Sequence, residues 1–230
     1  MTLVEQYRSG GHAEAYSSAL AGTGTASEQK ALAEEMMKRV RASLEALADR
    51  WRAKGHHLDA PLGPPDAAAE AIANYEARHQ PLPPTLRALY AHVGRVDFCQ
   101  WPGPLWSDKE TFDPLVILDP AVFLREMADE RYDDVQDLTL FTDPLTKMDY
   151  SGLGGIVVSL PDPIYNPNAA ACFDPFLMVE GEAVRGPNGE AMRLVPYLRR
   201  AILELGGFTI FTHSPAPGER AGLVDGLQPF

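Results

Sequence analysis

A change of hydrophobic period along the chain limits its fold more than any other feature. Up to Gly94, apolar residues recur at helical intervals, whereas most later apolar runs are short and are bounded by Pro, Gly, Asp or Asn. Helices gathered in one part of a chain and strands in another are typical of an α+β domain. Neither part alternates helices with strands, so we expect one core built from both parts.

The strongest helix signal begins at Thr25. Thr25 and Glu28 have the spacing of a capping box, and six apolar residues from Leu32 to Trp51 then follow at helical intervals. Basic residues fill the last turn, where they oppose the helix dipole, and Gly55 supplies a stop. The pattern predicts one long amphipathic helix.

Three further helices are predicted around this one. Residues 64–66 (Pro-Pro-Asp) introduce the run AAAEAIANYEARH, and LPPTLRALYAHVG then gives a helix that starts at a proline pair and stops at a glycine. A closing helix is predicted from Met192 to Leu205, with Gly206 and Gly207 behind it. The helices therefore dominate the N-terminal part and close the C-terminal part.

Five short runs have the pattern of strands: VDFCQW, DPLVILD, LTLFTD, GGIVVSLPD and FDPFLMVE. The segment PAVFLREMADERYDDV interrupts them with helical spacing. We predict an α+β fold in which a mixed, mostly antiparallel sheet is flanked by helices, with a helix-rich N-terminal third and a closing C-terminal helix.

The two ends of the chain give weaker patterns. Residues 1–24 are rich in Gly, Ser, Ala and Thr, which predicts a loosely attached N-terminal extension with at most one short helix. Residues 25–213 are interpreted as a single domain. Residues 214–230 contain prolines and glycines and are predicted to be irregular or mobile.

The chain has no apolar run long enough to span a bilayer and no basic flank followed by an apolar block at its N-terminus. These features predict a soluble protein without a membrane partner, and the cytoplasm is the expected compartment. The two cysteines, Cys99 and Cys172, stand in apolar contexts without metal-ligand spacing and are interpreted as small buried hydrophobes.

Negative charge is concentrated in the middle of the chain. Residues 101–190 carry 17 acidic and 5 basic residues, whereas the rest of the chain carries 15 of each, and the formal net charge is −12. Such a segment repels phosphate backbones, so direct nucleic-acid binding is not expected. The same field attracts a basic partner, although solubility alone would also account for it.

Seven carboxylates in this segment are the candidate partner-binding residues. They are Asp129, Glu130, Asp133, Asp134, Asp137, Asp143 and Asp149. A crowded acidic loop is usually solvated, and acid/base catalysis needs two carboxylates held in different environments across a cleft. We therefore interpret the set as a solvated or partner-docking surface and not as a catalytic pair.

Other catalytic patterns are incomplete. His56-His57 follows a helix stop, but no further ligand stands at helical spacing, so both are predicted to be exposed loop histidines. Ser151 lacks the Gly-x-Ser-x-Gly elbow of a nucleophile turn. The sequence predicts no catalytic residue, no metal and no cofactor.

The segment from Ile72 to Phe98, IANYEARHQPLPPTLRALYAHVGRVDF, resembles the signature of the SUKH superfamily. The similarity continues in DPLVIL, TDPLTKMDYSG and YLRRAILELGGF, and spans residues 72–208. The matching positions are Leu82, Pro83, Leu86, Tyr90, Gly94, Asp97, Gly206 and Gly207.

This resemblance implies a mixed sheet flanked by helices and a role in binding proteins. Bacterial members include immunity proteins that neutralise secreted toxins, many of them nucleases, and fungal members resemble regulators of cell-wall synthesis. The matching positions are structural in the family, so no catalytic residue is carried over. An inhibitor of a nuclease must cover a basic cleft, for which an acidic surface is complementary.

Two other functions stay open at this point. One is an intracellular scaffold or regulatory protein without a toxin partner. The other is an enzyme or a small-molecule-binding protein that uses a groove between sheet and helices, which Trp101, Trp106 and Tyr150 could line. The sequence does not indicate the oligomeric state.

Overall fold

The structure is a computed structural model that describes residues 1–64, 66–98, 114–127, 137–142, 155–159, 172–179, 182–208 and 222–230. Its helices are α1 (Leu3–Arg8), α2 (His12–Leu20), α3 (Ala26–Ala53), α4 (Ala69–Arg78), α5 (Pro84–Ala88), α6 (Pro120–Met127) and α7 (Leu194–Arg199). Helices α5 and α7 each continue into a π-helical turn, Leu89–Val93 and Arg200–Glu204 respectively. The helices predicted within the described residues are confirmed, whereas residues 128–135 of the predicted helical segment PAVFLREMADERYDDV lie outside them.

The strands form one sheet in chain order. They are β1 (Val96–Asp97), β2 (Val116–Ile117), β3 (Asp137–Thr142), β4 (Gly155–Ser159), β5 (Phe176–Val179) and β6 (Glu182–Ala183). Each described strand pairs antiparallel with the next. The predicted α+β class is confirmed, the described strands contain no parallel pair, and β6 was not predicted.

Helix α3 is the central helix of the helical layer. Thr25 and Glu28 close the capping box, with the Glu28 N–H donating to Thr25 Oγ1 at 3.2 Å and the Thr25 N–H donating to Glu28 Oε2 at 2.8 Å. Ten residues of the helix are buried, including Leu32 and Trp51, and the chain leaves it through Gly55 at φ +92°. Apolar spacing and caps thus set both its length and its inward face.

Residues 1–24 are packed on α3, which differs from the predicted loose extension. They form α1 and α2, a helical hairpin that buries Leu3, Tyr7, Ala15, Tyr16 and Ala19. A capping box at Thr2 and Glu5 starts α1. Ala15 and Ala19 are among these buried residues, so a composition typical of loose segments here serves packing.

Residues 222–230, the C-terminal strap, also differ from the expected mobile tail. They run antiparallel to α3, which holds three main-chain carbonyls with Arg50, Ser43 and Arg39. Leu223 and Phe230 are both 1% exposed and fill the core at the two ends of the strap. The strap begins with a helical turn at residues 222–224, and two buried side chains fix it in place. Residues 214–221 of the predicted tail lie outside the described residues.

Gly207 sits where the closing helix turns back to the sheet. Its φ is +95°, and a Cβ built there would lie 3.0 Å from two ring atoms of Phe98. Gly189 has a similar φ of +82° but open space around it. Position 207 therefore requires glycine for both its backbone conformation and its packing, whereas position 189 requires it only for its conformation.

Gly207→Ala is expected to lower the free energy of unfolding by about 2 to 3 kcal/mol, because left-handed strain of roughly 1 to 2 kcal/mol adds to the contact with Phe98. The matched control Gly189→Ala carries the strain alone and should cost about 1 kcal/mol. Urea denaturation of both variants measures the difference. Equal losses would show that the Phe98 ring moves aside freely.

Candidate functional site

The predicted acidic surface falls mostly outside the described residues. Asp129, Glu130, Asp133, Asp134, Asp143 and Asp149 lie there, and Asp137 is the first residue of β3. Asp137 pairs with Ser159 of β4, and Thr142 at the other end of β3 pairs with Gly155.

The described neighbours of this segment show how it is attached to the fold. Leu124 of α6 is fully buried, and α6 packs on α4. The chain therefore leaves a core-packed helix at Met127 and re-enters the sheet at Asp137. Residues 128–136 precede β3 and residues 143–154 follow it, and the two ends of this six-residue strand are about 16 to 17 Å apart. The seven candidate acids thus divide into two sets.

Several other predicted residues lie outside the described part of the chain. They are Trp101, Trp106 and Tyr150 of the predicted groove, Ser151 and Cys99.

The positions that carry the family resemblance are well placed. Leu82, Leu86 and Tyr90 are buried, and Pro83 precedes the first residue of α5. Gly94, Gly206 and Gly207 have φ values of +67°, +69° and +95°, and Asp97 lies in β1 with its N–H bonded to the Pro61 carbonyl.

A fully buried carboxyl, Asp174, lies just before β5. Tyr16 of α2 donates to its Oδ2 at 2.5 Å, as does the Val195 N–H of α7 at 3.2 Å. The Thr85 hydroxyl of α5 lies 2.8 Å from Oδ1. One side chain therefore joins three helices to the sheet, and we call Asp174 with Tyr16, Thr85 and Val195 the Asp174 node.

Two arginines lie beside the node without forming an ion pair with its carboxyl. Arg193 donates to the Asp174 main-chain carbonyl and to Cys172 Sγ, and its guanidinium lies 3.8 Å from the Phe176 ring centroid. Arg199 donates to the Phe230 carbonyl, and its guanidinium lies 5.0 Å from the Tyr16 ring centroid. Cys172 donates to the Asp174 carbonyl at 3.1 Å and is half-buried, so it is more polar in its contacts than predicted.

Burial dominates the electrostatics of the node. It raises the pKa of Asp174 to about 6, although Tyr16, Thr85, Val195 and Arg193 all favour the charged form. Burial and the neighbouring Asp174 also raise the pKa of Tyr16. Asp174 and Tyr16 therefore both bind their protons more tightly than usual. The node could serve as a structural link or as a link that depends on protonation.

The position of Asp174 in the sequence is a signal for the node. Asp174 is a single acid inside the apolar run CFDPFLM, which was interpreted only as a strand. An acid in such a run must be paired or protonated when buried. Its partners Tyr16 and Thr85 are 158 and 89 residues away, so only the structure identifies them.

A shallow cleft of about 210 Å³ lies between the loop after α3, the turn after the π-helical segment and the start of α6. Arg95 and Asp119 are its charged lining residues. Arg95 donates to the Ala60 carbonyl at 2.9 Å, and Asp119 accepts from the Ala121 N–H at 2.8 Å. The volume is below the range of about 300 to 1,000 Å³ that is usual for ligand pockets.

The histidine prediction is wrong for one of the pair. His57 is exposed, but His56 is 4% exposed, and its ring centroid lies 4.9 Å from that of Trp51. Its burial lowers the pKa of His56. The turn at Gly55 folds His56 back over the end of α3. Within the described ranges, no group of three or more His, Cys, Asp or Glu side chains is placed to hold a metal ion.

None of the described helices is both long enough and apolar enough to cross a membrane. Comparison with protein-family models, with curated proteins and with solved structures gives no match for this chain.

Proposed function

We propose that this chain is a non-catalytic protein-binding module of the SUKH type, an immunity protein that neutralises a bacterial toxin through its acidic segment. The charge distribution carries the proposal. All of the net charge of −12 arises in residues 101–190, and the remainder of the chain is balanced. A toxin that acts on nucleic acid presents a basic cleft, which such a segment would cover.

The described fold supports this role through the residues on either side of residues 128–136, which contain four of the candidate acids. Residues 128–136 lie between Leu124, which is fully buried in α6, and Asp137, which pairs in the sheet. A segment tied to the core at both ends has less conformational entropy to lose on binding than a free tail. The α+β architecture also agrees with the resemblance on which the proposal rests.

The test uses the secreted protein encoded immediately upstream, whose variable C-terminal domain is the expected toxin. The purified toxin domain and this chain should form a complex, and reversal of four acids should slow association at least about tenfold at low salt. The difference should shrink as salt rises, because exposed charges are screened. The reversed residues are Asp129, Glu130, Asp133 and Asp134, each replaced by lysine.

The matched control changes the net charge by the same amount on the balanced part of the chain. Its residues are exposed and form no described ion pair: Glu14, Glu70, Glu204 and Asp225, each replaced by lysine. Stopped-flow rates for this variant should stay within about threefold of the unchanged chain. A third variant, Asp143→Lys with Asp149→Lys, tests the other end of β3 separately.

Three outcomes would contradict the proposal. They are the absence of an upstream toxin gene, the absence of a complex, and equal slowing by the matched control. Recovery of a housekeeping complex from the host lysate, together with no toxin binding, would favour the scaffold function instead. A concentration-dependent rise in melting temperature with one class of small compound would favour the ligand-binding function.

A further inference from the structure

The hydroxyl protons around Asp174 do not suffice for the contacts seen there. Thr85 Oγ1 lies 2.8 Å from Asp174 Oδ1 and 3.1 Å from the Phe173 carbonyl oxygen. A hydroxyl has one proton to donate, so it serves only one of these acceptors. With an ionised Asp174, the other contact would bring two oxygen lone pairs together in a fully buried site.

One additional proton on Asp174 Oδ1 satisfies every contact. Asp174 then donates to Thr85 Oγ1, and Thr85 donates to the Phe173 carbonyl. The Tyr16 hydroxyl and the Val195 N–H both donate to Oδ2. The ion pairs of the described residues also leave Asp174 out, so no arginine compensates a charge by direct contact.

We propose that Asp174 is a proton-dependent latch: the protonated carboxyl holds the helical hairpin α1–α2 against α5 and α7, and loss of the proton loosens the hairpin. Tyr16, the hairpin side chain that bonds to the carboxyl, donates to Oδ2 in both states. The loosening therefore comes from the unfavourable buried charge, which opening of the hairpin exposes to water. The ionised form would sit fully buried, 0% exposed, between helices without a salt bridge. The inference is independent of the proposed immunity function.

The direction of the pH effect follows from burial. Burial raises the pKa of Asp174 to about 6, above its ordinary value near 3.8. The folded chain thus binds this proton more tightly than the unfolded chain does. The stability that the latch contributes is complete below about pH 4 and is lost as the pH rises through about 6. This rise in the Asp174 pKa limits the pH-dependent change in the ratio of folded to unfolded protein to roughly 100-fold.

Other groups near the carboxyl titrate elsewhere or stay charged. Burial raises the pKa values of Tyr16 and Cys172 and lowers the pKa of Arg199 from its ordinary value. Arg193 bonds to the main-chain carbonyl of Asp174 and not to its carboxyl. His12 on α2 has a lowered pKa because of burial and Arg39, so its contribution is lost as the pH falls and has the opposite sign. Only a comparison with a variant at Asp174 itself isolates the latch.

The hairpin α1–α2 is the element that should loosen when Asp174 loses its proton. The N-cap of α2, Gly11, has no side chain to cap the helix. Besides Tyr16, the hairpin is tied to α3 by Arg8 with Glu35, His12 with Arg39, and the Ala19 carbonyl with Gln29. Helices α5 and α7 both pack into the core through several fully buried side chains, among them Leu86 and Leu198. Regions with fewer contacts open locally before the whole fold does.

The experiment is hydrogen–deuterium exchange of the full chain at pH 5 and pH 7.5, corrected for intrinsic rates. Protection of residues 3–20 should fall at least about fivefold between the two pH values, while α3 changes less. In Asp174→Asn the amide mimics the protonated acid, since Nδ2 donates to Thr85 and Oδ1 accepts from Tyr16. Its hairpin protection should therefore not fall with pH.

With a second variant and a direct titration, the test does not depend on whether Asp174→Asn folds. Tyr16→Phe removes a donor that favours the ionised carboxyl, so the midpoint of the pH effect should move upward. The ¹³C shift of the Asp174 carboxyl should titrate near pH 6. Titration below pH 5, hairpin protection that does not depend on pH in the unchanged chain, or an unmoved midpoint in Tyr16→Phe would each overturn the latch.

Discussion

Replacing Trp51 by alanine is expected to lower the free energy of unfolding by about 3 to 5 kcal/mol. Trp51 is fully buried, and its ring centroid lies 5.3 Å from that of Phe98 and 4.9 Å from that of Phe208. Its indole N–H donates to the Gly206 carbonyl at 2.9 Å. The substitution leaves a large cavity and a carbonyl without its donor, at the point where α3 meets the closing helix.

Trp51→Phe separates these two losses. It keeps most of the ring volume and removes the hydrogen bond, so a loss of roughly 1 to 3 kcal/mol is expected. Urea denaturation followed by far-ultraviolet circular dichroism measures both variants. A loss below about 1 kcal/mol for Trp51→Ala would mean that the aromatic cluster does not hold the helices to the sheet.

The second large effect is expected at Tyr7. Its side chain is fully buried in the hairpin, with the Arg39 guanidinium 4.6 Å from its ring centroid and the His12 ring 4.7 Å away. Tyr7→Ala should cost about 3 kcal/mol or more, because removing a buried aromatic ring leaves a cavity. A residue in a loose extension would give a loss within about 0.5 kcal/mol.

Tyr7→Phe is the matched control. The Tyr7 hydroxyl is buried and has no hydrogen-bond partner among the described protein groups. Removing it should leave the stability unchanged within about 0.5 kcal/mol or raise it, because an unpaired buried hydroxyl is unfavourable. A large loss for Tyr7→Phe would show that the hydroxyl is bonded in solution. Chemical denaturation at one pH suffices for both comparisons.

The long helices and the fold class could be predicted because their signals are local. Thr25 and Glu28 mark the start of α3 and Gly55 its end within one continuous pattern. The hairpin was missed although Thr2 and Glu5 have the same capping-box spacing, because the small residues around it resemble a linker. The capping box is the more reliable of these two signals, since it marks the start of α1.

The parts that escaped prediction depend on distant contacts. Asp174 is an ordinary acid in sequence, and only the approach of Tyr16, Thr85 and Val195 makes it a node. Phe230 belongs to a segment whose composition predicts a mobile tail, yet its side chain is buried in the core among residues from other segments. The burial of His56 likewise depends on the direction that the chain takes after the turn at Gly55. The candidate acidic surface stays a prediction, because six of its seven residues lie outside the described part.

The strap on α3 has a consequence for synthesis on the ribosome. Gln228 meets Ser43 across 185 residues, so the groove on α3 receives its cover only when the last part of this sequence has emerged. Until then, the buried positions of Leu223 and Phe230 are unfilled, and the apolar side chains around them are available to chaperones or to other nascent chains. Such late closure predicts slow completion of folding, since contacts this distant require the largest loops to close.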